Sequence, residues 1–228
     1  IFEIDKSTEM TFDNFIERVH PEDRDNLTQT FQASVQEAKV YHLVHRLLFS
    51  NGRIKYVVED AQHFYDASNN HIYTIGTVQD ITTLKENEHK LRQSATVFEN
   101  TTEGVMITDT DSIILDVNEA FYEITGREHD EVLGKKASIL KSGRHNKKFY
   151  NEMWKSISEL GSWRGEIWNR RKDGEIYPQW LNISSVKNSS GVVESYIAVF
   201  SDITSLKETE SQLDFLAHHD HLTELPNR

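Results

Sequence analysis

Asp80-Ile81-Thr82-Thr83-Leu84-Lys85-Glu86-Asn87-Glu88-His89-Lys90-Leu91-Arg92-Gln93-Ser94-Ala95 decides how this chain is divided, because it occurs twice. At an offset of 122 residues the sequence reads Asp202-Ile203-Thr204-Ser205-Leu206-Lys207-Glu208-Thr209-Glu210-Ser211-Gln212-Leu213-Asp214-Phe215-Leu216-Ala217, and nine of the sixteen positions are identical. Self-similarity at a fixed offset signals one structural plan used twice. The chain therefore divides into a first unit at 1–82, a connector at 83–98, a second unit at 99–204 and a connector at 205–219, with 220–228 left over.

Composition narrows the class. A length of 228 residues fits two domains of about 100 residues each. Hydrophobic residues at 37% and aromatics at 10% suffice for packed cores. A net charge of −12 opposes nucleic acid or an anionic membrane surface as partner, and Arg170-Arg171-Lys172 is too short a basic cluster to reverse that. There is no cysteine, which excludes disulfides, thiolate metal sites and a cysteine nucleophile and fits a reducing, cytoplasmic location. No apolar run is long enough to span a bilayer and no signal peptide is present. The start at Ile1 without a methionine reads as an internal piece of a longer protein, whose upstream part could carry a membrane anchor.

In the first unit Phe12, Phe15, Ile16 and Val19 recur at helical spacing. Pro21 breaks that helix, and Asp23 is expected to cap a second one carrying Leu27, Phe31, Val35 and Ala38. Tyr41, Leu43 and Leu47 then alternate as a strand. Asn51-Gly52 signals a hairpin into a second strand, 54–64, and a turn at Ala67-Ser68-Asn69-Asn70 leads to a third, 72–78.

The second unit starts earlier in the same plan. Strands are expected at 105–108 and 113–117, with Asp109-Thr110-Asp111-Ser112 as the turn between them. Asn118 caps a helix ended by Gly126, and Phe149, Met153, Trp154, Ile157 and Leu160 mark a longer helix closed by Gly161. Three strands follow at 163–171, 175–186 and 193–202, joined by Lys172-Asp173-Gly174 and Asn188-Ser189-Ser190-Gly191.

Asn118-Glu119-Ala120-Phe121, Glu131-Val132-Leu133-Gly134, Ser162-Trp163-Arg164-Gly165-Glu166, Arg170-Arg171-Lys172-Asp173-Gly174 and Asp202-Ile203-Thr204 together resemble a PAS domain over nearly all of 96–204. Val19-His20-Pro21-Glu22-Asp23-Arg24, Ser50-Asn51-Gly52 and Gly76-Thr77-Val78-Gln79-Asp80-Ile81-Thr82 give the first unit the same resemblance. The resemblance implies an α+β fold: a five-stranded antiparallel sheet with helices over one face and a pocket between them. In the first unit the family's first two strands and first helix have no counterpart, so that domain is expected to be truncated at its N-terminus.

Both connectors carry a heptad seam: Ile81, Leu84, Glu88, Leu91, Ala95 and Phe98, then Ile203, Leu206, Glu210, Leu213 and Ala217. The plain reading is an amphipathic helix packed on its own domain. The sharper one, which the resemblance favours, is a short parallel coil in a homodimer, with Asp80, Ile81, Thr82, Asp202, Ile203, Thr204, Leu206 and Leu213 transmitting the signal. Asp220, Leu222-Thr223 and Leu225-Pro226-Asn227-Arg228 resemble the entry to a GGDEF diguanylate cyclase domain, with Glu224 where that family usually has glycine. The resemblance implies a cyclase joined in cis whose own catalytic residues lie outside this sequence.

Within these residues no catalytic constellation stands out. Asp109 and Asp111 read as turn residues, and there is no nucleophile elbow or glycine-rich phosphate loop. His42, His45 and His145 are poor haem ligands on sequence grounds, and the His218 to His221 run has the wrong spacing for one helix face. The second unit is also similar to flavin-binding PAS domains of redox regulators. That likeness makes FAD the candidate cofactor and Trp163, Glu166, Asn169 and Asn182 the candidate contacts, a tryptophan walling the ring and amides meeting its polar edge. The expected function is a sensory PAS-PAS module controlling a diguanylate cyclase through helical linkers. The alternative is a ligand-free dimerisation module.

Overall fold

Gly52 and Gly174 lie 122 residues apart and both take positive φ, +80° and +98°. A side chain is strained in that region of backbone space, so each fixes a tight hairpin, and the offset between the units holds from there onward. The computed structural model describes residues 1–2 and 11–218. They form two compact units, Ile1–Gln93 and Ser94–Arg228.

The first unit opens with α1 (Phe12–Arg18), capped by the Thr11 hydroxyl, which accepts from the Asn14 amide. In α2 (Pro21–Glu37) the proline takes the first turn, where a missing N–H is no loss. Asp23 is not its cap, contrary to the sequence expectation. His20 holds that position and accepts from the Glu22 amide. The Asp23 carboxylate is drawn away by Arg46, whose guanidinium donates to its two oxygens at 2.6 and 2.9 Å and holds it below the usual carboxylate range. β1 (Tyr41–Leu48), β2 (Ile54–Tyr65) and β3 (His71–Asp80) pair antiparallel in the order β1-β2-β3. Val19, Leu27, Leu47, Phe49 and Val57 form the core.

Helix α3 (Thr82–Asn100) leads into β4 (Gly104–Thr108), β5 (Ile114–Val117), α4 (Glu119–Thr125) and α5 (His129–Val132). A 3-10 turn at Ala137–Leu140, then α6 (Lys147–Leu160), completes the helical layer. β6 (Ser162–Arg170), β7 (Ile176–Lys187) and β8 (Val193–Asp202) follow, and α7 (Thr204–His218) leaves the sheet. The sheet order is β5-β4-β8-β7-β6, antiparallel throughout. The expected α+β architecture is therefore present in full in this unit. Asn118, fully buried, ties its start together. Its side-chain oxygen accepts from Val105 at 2.7 Å and Phe121 at 3.1 Å, while its amide donates to the carbonyls of Phe98 and Glu103.

The two units share their turns as well as their outlets. Asp66 and Asn188 each accept two backbone amides from the residues two and four further on, the geometry that short polar side chains give a turn. Leu84, Leu91, Leu206 and Leu213 are all exposed. No helix among the described residues is long and apolar enough to cross a membrane.

Candidate functional site

Strands β6 and β7 alternate, so one parity of residues faces the helical layer and the other faces outward. On the inner face Ile167, Asn169, Gln179, Leu181 and Ile183 meet α6 and the 3-10 turn across a cavity of about 350 Å³. That size falls at the low end for small-molecule sites, about 300–1,000 Å³. Met106, Leu140, Met153 and Phe200 make its walls apolar. Polar groups are few and placed. The Tyr150 hydroxyl is buried with no partner among the described residues, and burial pushes its phenol up. Asn169, 6% exposed, has a side-chain amide that makes no hydrogen bond among the described residues. Lys141 stands over the Tyr150 ring at 4.1 Å.

The four residues that sequence reasoning assigned to a flavin do not converge. Asn169 lines the cavity. Trp163 shares its strand face but packs edge-on against Phe149 at 5.9 Å and covers Gly165, where a Cβ would lie 2.9 Å from the indole. Glu166 lies on the opposite face of β6 and pairs with Lys207 of α7 at 2.8 Å. Asn182 is exposed on the outer face, between the inward Leu181 and Ile183. The tryptophan at the cavity is Trp154, edge-on to Tyr196 at 5.3 Å. These four residues therefore do not line one site. His145 accepts from the Trp168 amide at 2.9 Å and stacks on Phe149. Among the described residues no cluster of three acidic or histidine side chains could hold a metal.

Of the residues expected to carry a signal, those at the strand-to-helix turns are held by hydrogen bonds, whereas Leu206 and Leu213 are exposed. In the second unit one oxygen of Asp202 accepts from the amide and the hydroxyl of Thr204, at 2.8 and 2.6 Å, while the other is paired with Arg171. Burial alone would raise that carboxyl, but the hydrogen bonds from Arg171 and Thr204 outweigh it and hold the group ionised. The amide of Ile203 donates to the Pro178 carbonyl at 3.1 Å. Arg171 also donates to the Ile124 carbonyl at the end of α4 and lies 4.0 Å over the Tyr177 ring.

The first unit builds the same clasp from exchanged parts. Asp80 accepts from the amide and hydroxyl of Thr82 at 3.0 and 2.6 Å and pairs with Lys55 at 3.1 Å; the Thr82 hydrogen bonds, with a smaller contribution from Lys55, pull its carboxyl to about 2. The amide of Ile81 donates to the Tyr56 carbonyl. Here the cation comes from β2 and the ring, Phe49, from the hairpin before it. In the second unit the hairpin supplies the cation and β7 the ring. Sequence reading missed this pairing because it lies between residues that identical spacing does not highlight. The interiors differ too, with His45 and Glu59 standing where the second unit has Ile167 and Leu181.

Comparison with known proteins agrees with this geometry. Residues 102–205 match the family described as PAS domain, and residues 5–78 match the one described as PAS fold. A nitrogen fixation regulatory protein of Klebsiella oxytoca is 30% identical over 118 residues, covering 52% of this chain and 24% of that protein. A blue-light-activated histidine kinase of Brucella anthropi is 30% identical over 111 residues, covering 47% and 23%. The chain spans about a quarter of the length of these curated relatives. A solved PAS domain from Colwellia psychrerythraea superposes with a TM-score of 0.49 at 22% identity, covering 51% of this chain and 98% of that one. The chain carries two PAS domains in tandem, and the second encloses the cavity.

Proposed function

We propose that the chain is a sensory module in which the state of the second domain's cavity is passed through α7 to a diguanylate cyclase domain that follows it. The observation that carries this reading is the clasp at Asp202, Ile203 and Thr204. It binds the first turn of the outgoing helix to β7, a wall of the cavity. The relatives are named as a nitrogen fixation regulatory protein and a blue-light-activated histidine kinase, which supports the same use of the fold here. The cavity itself favours a ligand sensor over a ligand-free dimerisation module, which would fill that space with side chains. The cyclase rests on the sequence 220–228, which lies outside the described residues. Exposed Leu84, Leu91, Leu206 and Leu213 give the connectors an apolar stripe suited to a second copy of the chain.

The test is a deletion of Thr209 in the protein carrying its downstream domain. Removing one residue turns the rest of the helix by about 100°. Basal cyclic di-GMP production is expected to change several-fold, and deletion of a full heptad to restore it. Unchanged output after the single deletion overturns transmission through α7. A protein that makes no cyclic di-GMP in any variant overturns the choice of effector.

A further inference from the structure

Gln179 is 1% exposed and lines the cavity, and it stands opposite Asp202 in the β7–β8 pairing. Its carbonyl oxygen accepts from the Tyr177 hydroxyl at 2.9 Å. Burial pushes the Tyr177 phenol up, so it keeps its proton and remains a donor. The amide nitrogen of Gln179 makes no hydrogen bond among the described residues. An acceptor brought to that nitrogen would make a hydrogen bond that the protein itself does not supply.

We propose that Gln179 reads the cavity: its amide N–H groups take a hydrogen-bond acceptor on an otherwise apolar ligand, and its carbonyl relays the occupant's presence through Tyr177 and Arg171 to Asp202. The acceptor is a carbonyl, a carboxylate or a ring nitrogen. Asn169, which pairs with Tyr177 across β6–β7, offers a second unpaired amide beside it. Each later link is made. The Tyr177 ring lies under the guanidinium of Arg171, and that guanidinium is fixed to Asp202, to the Ile124 carbonyl and to Glu175 at 2.8 Å. Asp202 in turn holds Thr204. The residue between Tyr177 and Gln179, Pro178, holds the Ile203 amide. Three consecutive residues of β7 thus touch the cavity, the cation and the outlet, and a ligand that redirects the Gln179 amide disturbs all three.

The first domain marks the relay as specific to the second. At the same offset it has Val57 in place of Gln179 and Lys55 in place of Tyr177. Its clasp is intact, but the apolar Val57 stands between Lys55 and the largely buried Glu59 along that strand.

The proposal rests on α7 being the outlet, and the experiment separates the two. In the 228-residue chain, amide exchange is followed at Thr204 and Lys207, which are bonded to Asp202 and Ile203. Tyr177→Phe and Gln179→Leu are each expected to raise it at least three-fold, roughly 0.7 kcal/mol of local opening. The double variant is expected to match the larger single, and Met106 and Ile107 in β4 to stay unchanged. Unaltered exchange at Thr204 in Tyr177→Phe, additive effects, or an equal rise across the sheet overturns the relay. Asp202→Asn is the control. If it loosens the turn while Tyr177→Phe is silent, the relay fails and the outlet stands; if both are silent, the outlet fails as well. Acetophenone and ethylbenzene, alike in shape and differing in one carbonyl, test the ligand class. Acetophenone is expected to shift Ile183 and Met153 methyl resonances at lower concentration, and Gln179→Leu to abolish that advantage. Equal response to the two probes, or none to either, overturns the acceptor preference.

Discussion

His45→Leu should change how the first domain's stability responds to acid, and by a calculable amount. His45 is 3% exposed, and neither ring nitrogen has a partner among the described residues. Phe15 packs edge-on against the ring, and the facing ionisable groups are Glu59 at 4.0 Å, Tyr41, which donates to Glu59, and Asp23 nearby. Burial lowers the imidazole to about 4, against 6.5 in an unfolded chain, and the Asp23 charge only partly opposes this. Between those values the unfolded state takes up a proton that the folded state refuses, so stability is lost as pH falls from 6.5 and levels off below 4. At about 1.36 kcal/mol per pKa unit the 2.5-unit gap amounts to about 3 kcal/mol. Glu59 acts in the opposite direction. Burial raises its carboxyl, so its contribution falls as pH rises above 4.5. The quantity to measure is therefore the difference between parent and variant, which cancels Glu59. All four tryptophans lie in the second domain, so urea unfolding of the first must be followed by NMR of β1 and β2. The difference should change by about 1.4 kcal/mol per pH unit near pH 5. Parallel curves, or a His45 ring that titrates near 6.5, would refute the reasoning.

Two further substitutions probe the second domain. Arg171→Met keeps the stem on Tyr177 but removes the links to Asp202, Glu175 and the Ile124 carbonyl. It should destabilise the domain by about 2 kcal/mol in urea unfolding followed by tryptophan fluorescence, because the partly buried Asp202 loses its main counter-charge. Glu166→Gln breaks only the pair with Lys207, whose side chain is 42% exposed. It should change stability little, by an effect that disappears in high salt, and should leave binding of small probes in the cavity unchanged by NMR titration.

Much of this architecture was legible because it depends on local rules. Asn118 and Gly126 bound a helix wherever they stand in the chain, and Asn51-Gly52 and Asp173-Gly174 permit a tight turn that other residues resist. Asp23 misled because a distant partner outbid the local one: Arg46, on the neighbouring strand, takes the carboxylate that would otherwise cap α2. The candidate site was legible only in part. Trp163, Glu166, Asn169 and Asn182 were grouped by chemistry, but strand parity sets Glu166 and Asn182 apart from Trp163 and Asn169. Asn182 between Leu181 and Ile183 points outward by alternation alone, and Glu166 next to Ile167 does the same. Gln179 shares parity with Tyr177, Leu181 and Ile183, so a polar residue in that apolar row was the available signal. The exchange of cation and ring between the two clasps was not legible, since it appears only when hairpin and strand are seen in contact.

The coupling of cavity to outlet is tested most directly by filling the cavity from a residue that takes no part in the relay. Ala198 on β8 is 4% exposed and lines the cavity, and Ala198→Leu would place an isobutyl group there. Amide exchange at Thr204 and Lys207 should change at least three-fold relative to the parent, with β4 amides and tryptophan fluorescence showing the domain still folded. A filled cavity in a folded domain, with exchange in the first turn of α7 the same as in the parent, would contradict the account.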